Sequence, residues 1–451
     1  MAEKNLQPLC ATISHIADFV DQEITLKGWL YNKRGSGKIL FFHLRDGSGF
    51  IQTIITPDAV GEELFEQLKK LGQESSLIVT GVVKKEERAP YCGHEMHVSK
   101  VTVVTGCDNY PIAKKAHGDA FLMDHRHLWL RSRRQHAILR IRATIIRAVR
   151  DYFDDRGFLL VDSPIFTPNA CEGTSTLFET KWFDDSKAFL SQSGQLYQEA
   201  AAMAFGKSYC FGPVFRAEKS KTRRHLNEFW MVEPEVAFMD LEGDIDLAED
   251  FLCYIVERVL NAHEQELSEV LERDLAPLKK VQKPFPRISY DDAVKMIQEI
   301  AAVQTDPEQK KLLEITWGMD FGSPHETELT KKFDRPIVVH RFPAEVKAFY
   351  MKKDEQNPKL ARCMDVLAPE GYGEIIGGGQ REDNLDNLLL EIKRHGLNQA
   401  DFEWFLDLRR FGSVPHAGFG LGIERTVAWL CGLHHVRETI PFARTLERLY
   451  P

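Results

Sequence analysis

The stretch from Phe211 to Phe238, FGPVFRAEKSKTRRHLNEFWMVEPEVAF, constrains the fold more than any other part of the chain. An apolar run ending at Phe215 passes into Arg216-Ala217-Glu218, then a cluster of Lys219, Lys221, Arg223, Arg224 and His225, then a second apolar run. This pattern predicts a strand, a basic loop and a return strand. Strands send alternate side chains to opposite faces. One face of the return strand therefore carries Trp230, Val232, Pro234, Val236 and Phe238, and the other Phe229, Met231, Glu233 and Glu235. An aromatic ring beside two carboxylates, turned away from the packed side, fits a ligand pocket better than a solvated surface. The same alternation puts Arg216 and Glu218 together. Forked guanidinium donors match phosphate oxygens, and the Phe229 ring suits stacking on a base. A solvated hairpin with a charged tip would account for the loop alone, but not for the order Arg-x-Glu, basic loop, Glu-Phe.

The first hundred residues read as five short strands: Glu23 to Trp29, Ile39 to Leu44, Phe50 to Ile55, Leu77 to Val83 and His97 to Val104. Turn signals such as Asp46-Gly47-Ser48-Gly49 separate them, and an amphipathic helix near Glu62 to Leu71 falls between the third and fourth. That is the plan of a small Greek-key barrel, the OB-fold, whose second and third strands carry the nucleic-acid face. Of the adjacent Phe41 and Phe42, one must face outward if the other is core, and an exposed ring there is a stacking platform worth about 1–3 kcal/mol per base. The net charge of −9 excludes a generally basic nucleic-acid coat, so any such contact must come from local patches.

Residues 105–130 lack sustained periodicity and read as a linker with a few ordered turns. From His136 to Phe153, Ile138, Ile141, Ile145, Val149 and Phe153 form a helical stripe, stopped at Gly157 and followed by an apolar strand ending at Pro164. Phe189 to Leu196 (FLSQSGQL) reads as a strand with Ser191, Ser193, Gln195 and Tyr197 along one side, a polar row that needs partners if buried. Helical spacing dominates from about Glu242 to Glu299, and residues 300–335 read as a polar insertion or surface excursion. Asp365 and Glu374 then flank a turn before the glycines 377–379. Two carboxylates at the ends of facing strands suit a hard cation such as magnesium, and the glycines allow close approach of a ligand, although on these residues alone a glycine bulge with two solvated acids is the better account. The run Gly418-Phe419-Gly420-Leu421-Gly422-Ile423-Glu424-Arg425 enters a helix with G-x-G-x-G spacing, which is not the dinucleotide-binding fingerprint.

Together these motifs resemble the class II aminoacyl-tRNA synthetases, and within them the asparaginyl and aspartyl branch. FRAEKSKTRRHLNEFWMVEPE resembles motif 2, RGFLLVDSPIFTPNACEGTSTLFE motif 1, GFGLGIER motif 3, and GWLYNKRGSGKILFFHLRDGSGFIQTII the anticodon-binding barrel. The resemblance implies that Arg216, Glu218, His225, Phe229 and Arg425 surround ATP, with Arg216, Glu218 and Arg425 catalytic. It assigns Mg2+ to Asp365 and Glu374, and the amino acid to Glu172, Ser193, Gln195 and Arg381, to which the inward face of the return strand adds Glu233. Arg34, Phe41 and Gln52 would then meet the tRNA anticodon, and motif 1 implies a homodimer. One departure is PFART at Pro441 to Thr445, where many asparaginyl enzymes carry a second proline in place of Ala443.

The expected architecture is α+β, an N-terminal OB-fold β-barrel followed by a class II synthetase catalytic domain, an antiparallel sheet flanked by helices. The expected bounds are 1–110 for the barrel, 111–132 for a linker and 133–451 for the catalytic domain, with an insertion around 270–335. The expected reaction is ATP-dependent attachment of L-asparagine to tRNA(Asn) through an adenylate. A lysine expected of the aspartyl branch three residues after Gln195 is here the neutral Gln198, and an acceptor for the amide nitrogen is sought in Glu233, with Glu235 second. An RNA-binding paralogue without activity would have no reason to keep Arg216, Glu218, Asp365, Glu374 and Arg425. A tRNA-independent asparagine-making enzyme would not need Arg34, Phe41 and Gln52. Eight scattered cysteines without a C-x-x-C pair, and no window approaching a membrane span, predict a cytoplasmic protein with no membrane partner.

Overall fold

The computed structural model describes residues 9–168, 177–183 and 187–451. The chain divides into two compact units, Met1–Gly118 and Asp119–Pro451.

The first unit is the expected barrel. Its strands are β1 (Glu23–Ser36), β2 (Ile39–Arg45), β3 (Phe50–Ile55), β4 (Ser76–Lys85) and β5 (His94–Thr105), with helix α1 (Glu62–Lys70) between β3 and β4. β1 pairs with both β2 and β4, β3 pairs with β5 in parallel, and β4 pairs with β5, so the sheet closes on itself. Alternation along the strands delivers Leu26, Leu30, Phe42, Leu44, Ile51 and Val79 to one core, and α1 adds Phe65 and Leu68. Phe42 is therefore the core ring of its pair and Phe41 the outward one, half-buried.

The second unit is built on an eight-stranded sheet among the described residues. In chain order its elements are α2 (Arg133–Asp154), β6 (Leu159–Leu160), α3 (Gln195–Phe205), β7 (Lys207–Phe215), β8 (Glu228–Ala237), α4 (Leu241–Gln265), β9 (Arg287–Ser289), α5 (Tyr290–Val303), α6 (Ser323–Thr330), β10 (Ile337–His340), β11 (Cys363–Ala368), β12 (Gly373–Gln380), β13 (His416–Gly422) and α7 (Ile423–Cys431). The strands lie in the order β9-β10-β11-β12-β13-β8-β7-β6, antiparallel except at the two ends. α2 starts where the Ser132 side chain accepts from the Gln135 amide, an N-cap that satisfies one otherwise orphaned donor. Its stripe of Ile138, Ile141, Ile145, Val149 and Phe153 is fully buried against Phe251, Ile255 and Val259 of α4 and Val232 and Val236 of β8.

The alternation on β8 holds until the strand ends at Ala237. Phe238, expected on the packed face, turns out with φ +59° and is 81% exposed.

Two further expectations need correction. The strand expected over Phe189–Leu196 stops at Leu190, and Gln195 already opens α3, so Ser191, Ser193, Gln195 and Tyr197 do not share a strand face. The hydroxyls satisfy a turn instead: Ser191 Oγ donates to the Ser193 carbonyl, and Ser193 Oγ accepts from the Gln195 amide. The few ordered turns expected between the barrel and the helix are present, helical at Asp119–Asp124 and Arg126–Trp129. Arg126 is only 1% exposed because its guanidinium serves the carbonyls of Glu438, Ile440 and Pro441, an attachment with no local signature. Residues 300–335 are more than a surface excursion, since Ile315 and Leu329 join a core with Tyr290, Ile297 and Ile337.

Candidate active site

Two adjoining cavities lie on the side of β8 opposite its core face. The smaller, about 260 Å³, is walled by Arg216, Glu218, His225, Phe229, Glu374 and Arg425 among others. The larger, about 580 Å³, is walled by Ser193, Gln195, Glu233, Asp365 and Arg381, again with Glu374. Arg216, Met231, Glu374 and Gly420 belong to both. The structure thus gathers every described residue that sequence reasoning assigned to ATP, metal or amino acid. Glu172 lies outside the described residues.

The smaller cavity takes its shape from the basic loop. Arg216 donates its amide to the Asn227 carbonyl at 2.9 Å, one pair beyond the strand ends. Asn227 Nδ2 donates to the carbonyls of Arg216 and Glu218 at 2.7 and 3.3 Å. This pins the mouth of the loop and sets the Arg216 guanidinium 5.8 Å from the Phe229 ring centre. Arg224 leaves the cavity floor to bind Glu326 at 2.8 Å and Thr327 Oγ1 at 2.7 Å. Burial, reinforced by Arg425, Arg216 and Arg224, pushes the His225 imidazole below its ordinary pKa.

Arg425 sits in the first turn of α7. Its Nη1 donates to the Glu374 carbonyl at 2.7 Å and approaches Glu374 Oε2 at 3.3 Å. α7 is fixed by Glu424, which accepts from the Trp230 amide at 3.0 Å and pairs with Arg142 of α2 at 2.8 Å.

Asp365 and Glu374 lie on paired strands, Asp365 opposite Gly377 and Glu374 opposite Leu367. A Cβ placed on Gly377 would lie 2.7 Å from Glu374 Oε1 and 3.7 Å from Asp365 Oδ1, so both carboxylates converge over a residue with no side chain. Burial and the Glu374 charge raise the Asp365 carboxyl to about 7 against the pull of Lys347, whose ammonium bonds both its oxygens at 3.0 and 2.9 Å. Burial works against ionisation of Glu374 too, but Arg425, Lys347 and Arg216 outweigh it and hold that carboxyl low. Two converging oxygen donors that disfavour each other's charge fit a hard divalent cation that keeps other oxygens in its shell. Among the described residues no group of three or more His, Cys, Asp or Glu forms a complete cage.

At the far end of the larger cavity Arg381 and Glu235 form a buried fork, Nε to Oε1 at 3.0 Å and Nη2 to Oε2 at 2.9 Å. Burial alone would lower the Arg381 pKa; Glu235 outweighs it and keeps the guanidinium charged. The remaining Nη1 donates to the Met351 sulfur at 3.8 Å. Glu233 accepts from Ser193 Oγ and from the Gly194 amide at 2.8 Å, holding the turn before α3, while burial raises its carboxyl. Gln198 is buried and donates to the Val161 carbonyl at 2.7 Å.

In the barrel unit Arg34, Phe41 and Gln52 also come together. The Arg34 guanidinium lies 4.7 Å from the Phe41 ring centre and donates to Gln52 Oε1 at 3.1 Å, while Gln52 Nε2 donates to Glu95 at 3.2 Å. Sequence reasoning missed Asn227, Glu326 and Lys347. Only Lys347 left a trace, as a single cation in the otherwise apolar run Val346 to Tyr350.

The family model described as tRNA synthetases class II (D, K and N) matches residues 119–446, and that of the OB-fold nucleic acid binding domain matches residues 24–104. An asparagine–tRNA ligase of Sorangium cellulosum is 59% identical over 447 residues, covering 99% of each chain. One of Koribacter versatilis is 57% identical over 444 residues, covering 98% of this chain and 99% of its own. Among solved structures, the asparaginyl-tRNA synthetase of Pyrococcus horikoshii complexed with asparaginyl-adenylate superposes with TM-score 0.92 at 44% identity, covering 99% of this chain and 100% of that one. With its OB-fold barrel and its class II sheet, the chain belongs to the asparagine–tRNA ligase family of class II aminoacyl-tRNA synthetases.

Proposed function

We propose that the protein joins L-asparagine to tRNA(Asn) in two steps, through asparaginyl-adenylate, with release of pyrophosphate and then AMP. The observation that carries this reading is the shared wall of the two cavities: a nucleotide in the smaller and an amino acid in the larger meet at Arg216 and Glu374. The asparagine carboxylate attacks the α-phosphorus of ATP and the bond to the bridging oxygen of pyrophosphate breaks. The terminal ribose hydroxyl of the tRNA then attacks the carbonyl of the mixed anhydride, loses its proton and displaces AMP. The nucleophile is supplied by the substrate, so the protein contributes positioning and charge stabilisation.

Each residue has a part in that work. Phe229 stacks on the base, while Glu218 and His225 hydrogen-bond the nucleotide. Arg216 steadies the charge growing on the α-phosphoryl oxygens, and Arg425 that on pyrophosphate. Asp365 and Glu374 would hold Mg2+, which would supply neutralisation of phosphate charge, while Lys347 bonds the aspartate. Arg381 Nη1 takes the side-chain oxygen of asparagine. Glu233 takes the amide N–H with its remaining lone pairs, because Glu235 is already forked onto Arg381. Ser193, Gln195 and Glu172 hold the rest of the amino acid.

Arg34, Phe41 and Gln52 read the anticodon. The barrel spans 1–110, a linker 111–132 and the catalytic domain 133–451, with an insertion around 270–335. The active form is a homodimer joined through motif 1, where Leu159 of the edge strand β6 is 46% exposed and Ile165 and Phe166, further along the chain, are 44% and 51% exposed. The compartment is the cytoplasm, in keeping with seven unpaired cysteines among the described residues. No helix of the described residues is long and apolar enough to cross a membrane.

Exchange of pyrophosphate into ATP, run with asparagine and aspartate side by side, tests the first step; charging of tRNA(Asn) tests the second. Equal exchange with both amino acids overturns the asparagine assignment.

A further inference from the structure

Behind the amino-acid end of the larger cavity lies a buried group of charges that the mechanism above does not use. Glu199 of α3 is 0% exposed, one helical turn after Gln195. Its Oε2 accepts from His416 Nε2 at 2.9 Å and from Arg409 Nη2. Both donors are themselves fixed: His416 Nδ1 donates to the Val414 carbonyl at 2.8 Å, and Arg409 Nε to the Glu382 carbonyl at 2.8 Å. Burial disfavours the Glu199 anion, but Arg409 and His416 outweigh it and hold the carboxyl down at about 2.

The other oxygen, Oε1, meets Gln195 Nε2 at 3.1 Å. An ionised carboxylate only accepts, so Gln195 must turn its NH2 group toward Glu199, and its oxygen is left on the cavity side. Gln195 lines that cavity, and among the described residues no protein donor bonds its Oε1.

We propose that Glu199, anchored by Arg409 and His416, is a positioning residue that locks the Gln195 carboxamide with its oxygen toward the bound amino acid, as an acceptor for one of the substrate's N–H groups. This rests on the asparagine-activating reading. The anchor also dictates what a neutral substitute does. In Glu199→Gln, the new amide oxygen must face Arg409, which only donates, so its NH2 faces residue 195 and forces Gln195 to flip. The cavity then receives a donor where the substrate needs an acceptor.

The test is asparagine-dependent pyrophosphate exchange. Glu199→Gln raises KM for asparagine at least about tenfold, the scale of a buried polar group facing the wrong partner, with kcat and KM for ATP within about twofold. Adding Gln195→Glu restores an acceptor, since the amide introduced at position 199 donates to the new carboxylate. The double variant therefore binds asparagine better than Gln195→Glu alone, in which two carboxylates oppose each other. A purely structural role for Glu199 predicts no such rescue. Thermal unfolding checks that each variant folds; if Glu199→Gln does not, the comparison of Gln195→Glu with the double variant still decides. Competition by L-aspartate, which keeps the α-ammonium and lacks the amide, separates the sources of the N–H. Its inhibition constant rises with the asparagine KM if the ammonium is read and stays fixed if the amide is read. An unchanged KM in folded Glu199→Gln, or a double variant no better than Gln195→Glu, overturns the proposal. A wild type without asparagine-dependent exchange would instead overturn the functional reading on which it rests.

Discussion

The barrel face and the amino-acid cavity both join an arginine to an acceptor, yet they do so under opposite physical conditions. Arg34 is exposed at the end of its strand, against the half-buried Phe41 and within 3.1 Å of the buried Gln52 Oε1, so water competes for its guanidinium. Arg381 and Glu235 are 2% and 1% exposed and forked together before any substrate arrives. A contact of the first kind contributes little until a base is laid on it. A pair of the second kind cannot lose one member without stranding the other's charge in a medium that solvates it poorly.

Cutting each pair in the same way sharpens that contrast. Glu235→Ala should destabilise the synthetase unit by about 3–5 kcal/mol in chemical unfolding, because Arg381 is left buried without its fork. Arg34→Ala should change barrel stability by less than about 1 kcal/mol, the scale of an exposed cation–π contact. Comparable losses in the two variants would break the comparison.

The next effect is in chemistry. Arg216→Ala should lower asparagine-dependent exchange by at least about 100-fold, the scale of removing a preorganised donor to developing charge. Near-normal exchange by a folded variant would remove Arg216 from the reaction. The smallest is in recognition: Phe41→Ala should weaken tRNA charging by about 1–3 kcal/mol, read as KM for tRNA, and leave tRNA-free exchange untouched. Equal damage to both assays would mean that Phe41 serves packing.

What was legible in the sequence follows the range of the forces involved. The barrel and the β7–β8 hairpin were readable because alternation is local: each residue's face follows from its neighbour's. Met231, Glu233 and Glu235 reached the cavity side for that reason. The turn at Ser191–Gly194 was misread as strand because its decisive partner is Glu233, forty residues on, which accepts from Ser193 and Gly194. Arg126 looked like linker because the carbonyls that bury it lie more than 300 residues away. Lys347 and Glu326 owe their places to Asp365 and Arg224, contacts made only once the sheet has formed. The resemblance to a known family supplied the roles of Arg216, Asp365 and Arg425; alternation and composition did not.

Glu233 and Glu235 stand two residues apart on one strand, and between them they hold the entry to α3 and, through Arg381, the end of β12. β8 is therefore a gauge block against which distant parts of the chain are set. A slip of one residue in its pairing would exchange its faces, turning Val232, Pro234 and Val236 into the cavity and both acids into the apolar core. Such a molecule could not select amino acids with relaxed accuracy; it would have no pocket. For a protein whose mistakes would be copied into everything the ribosome makes, misassembly yields silence and not mistranslation.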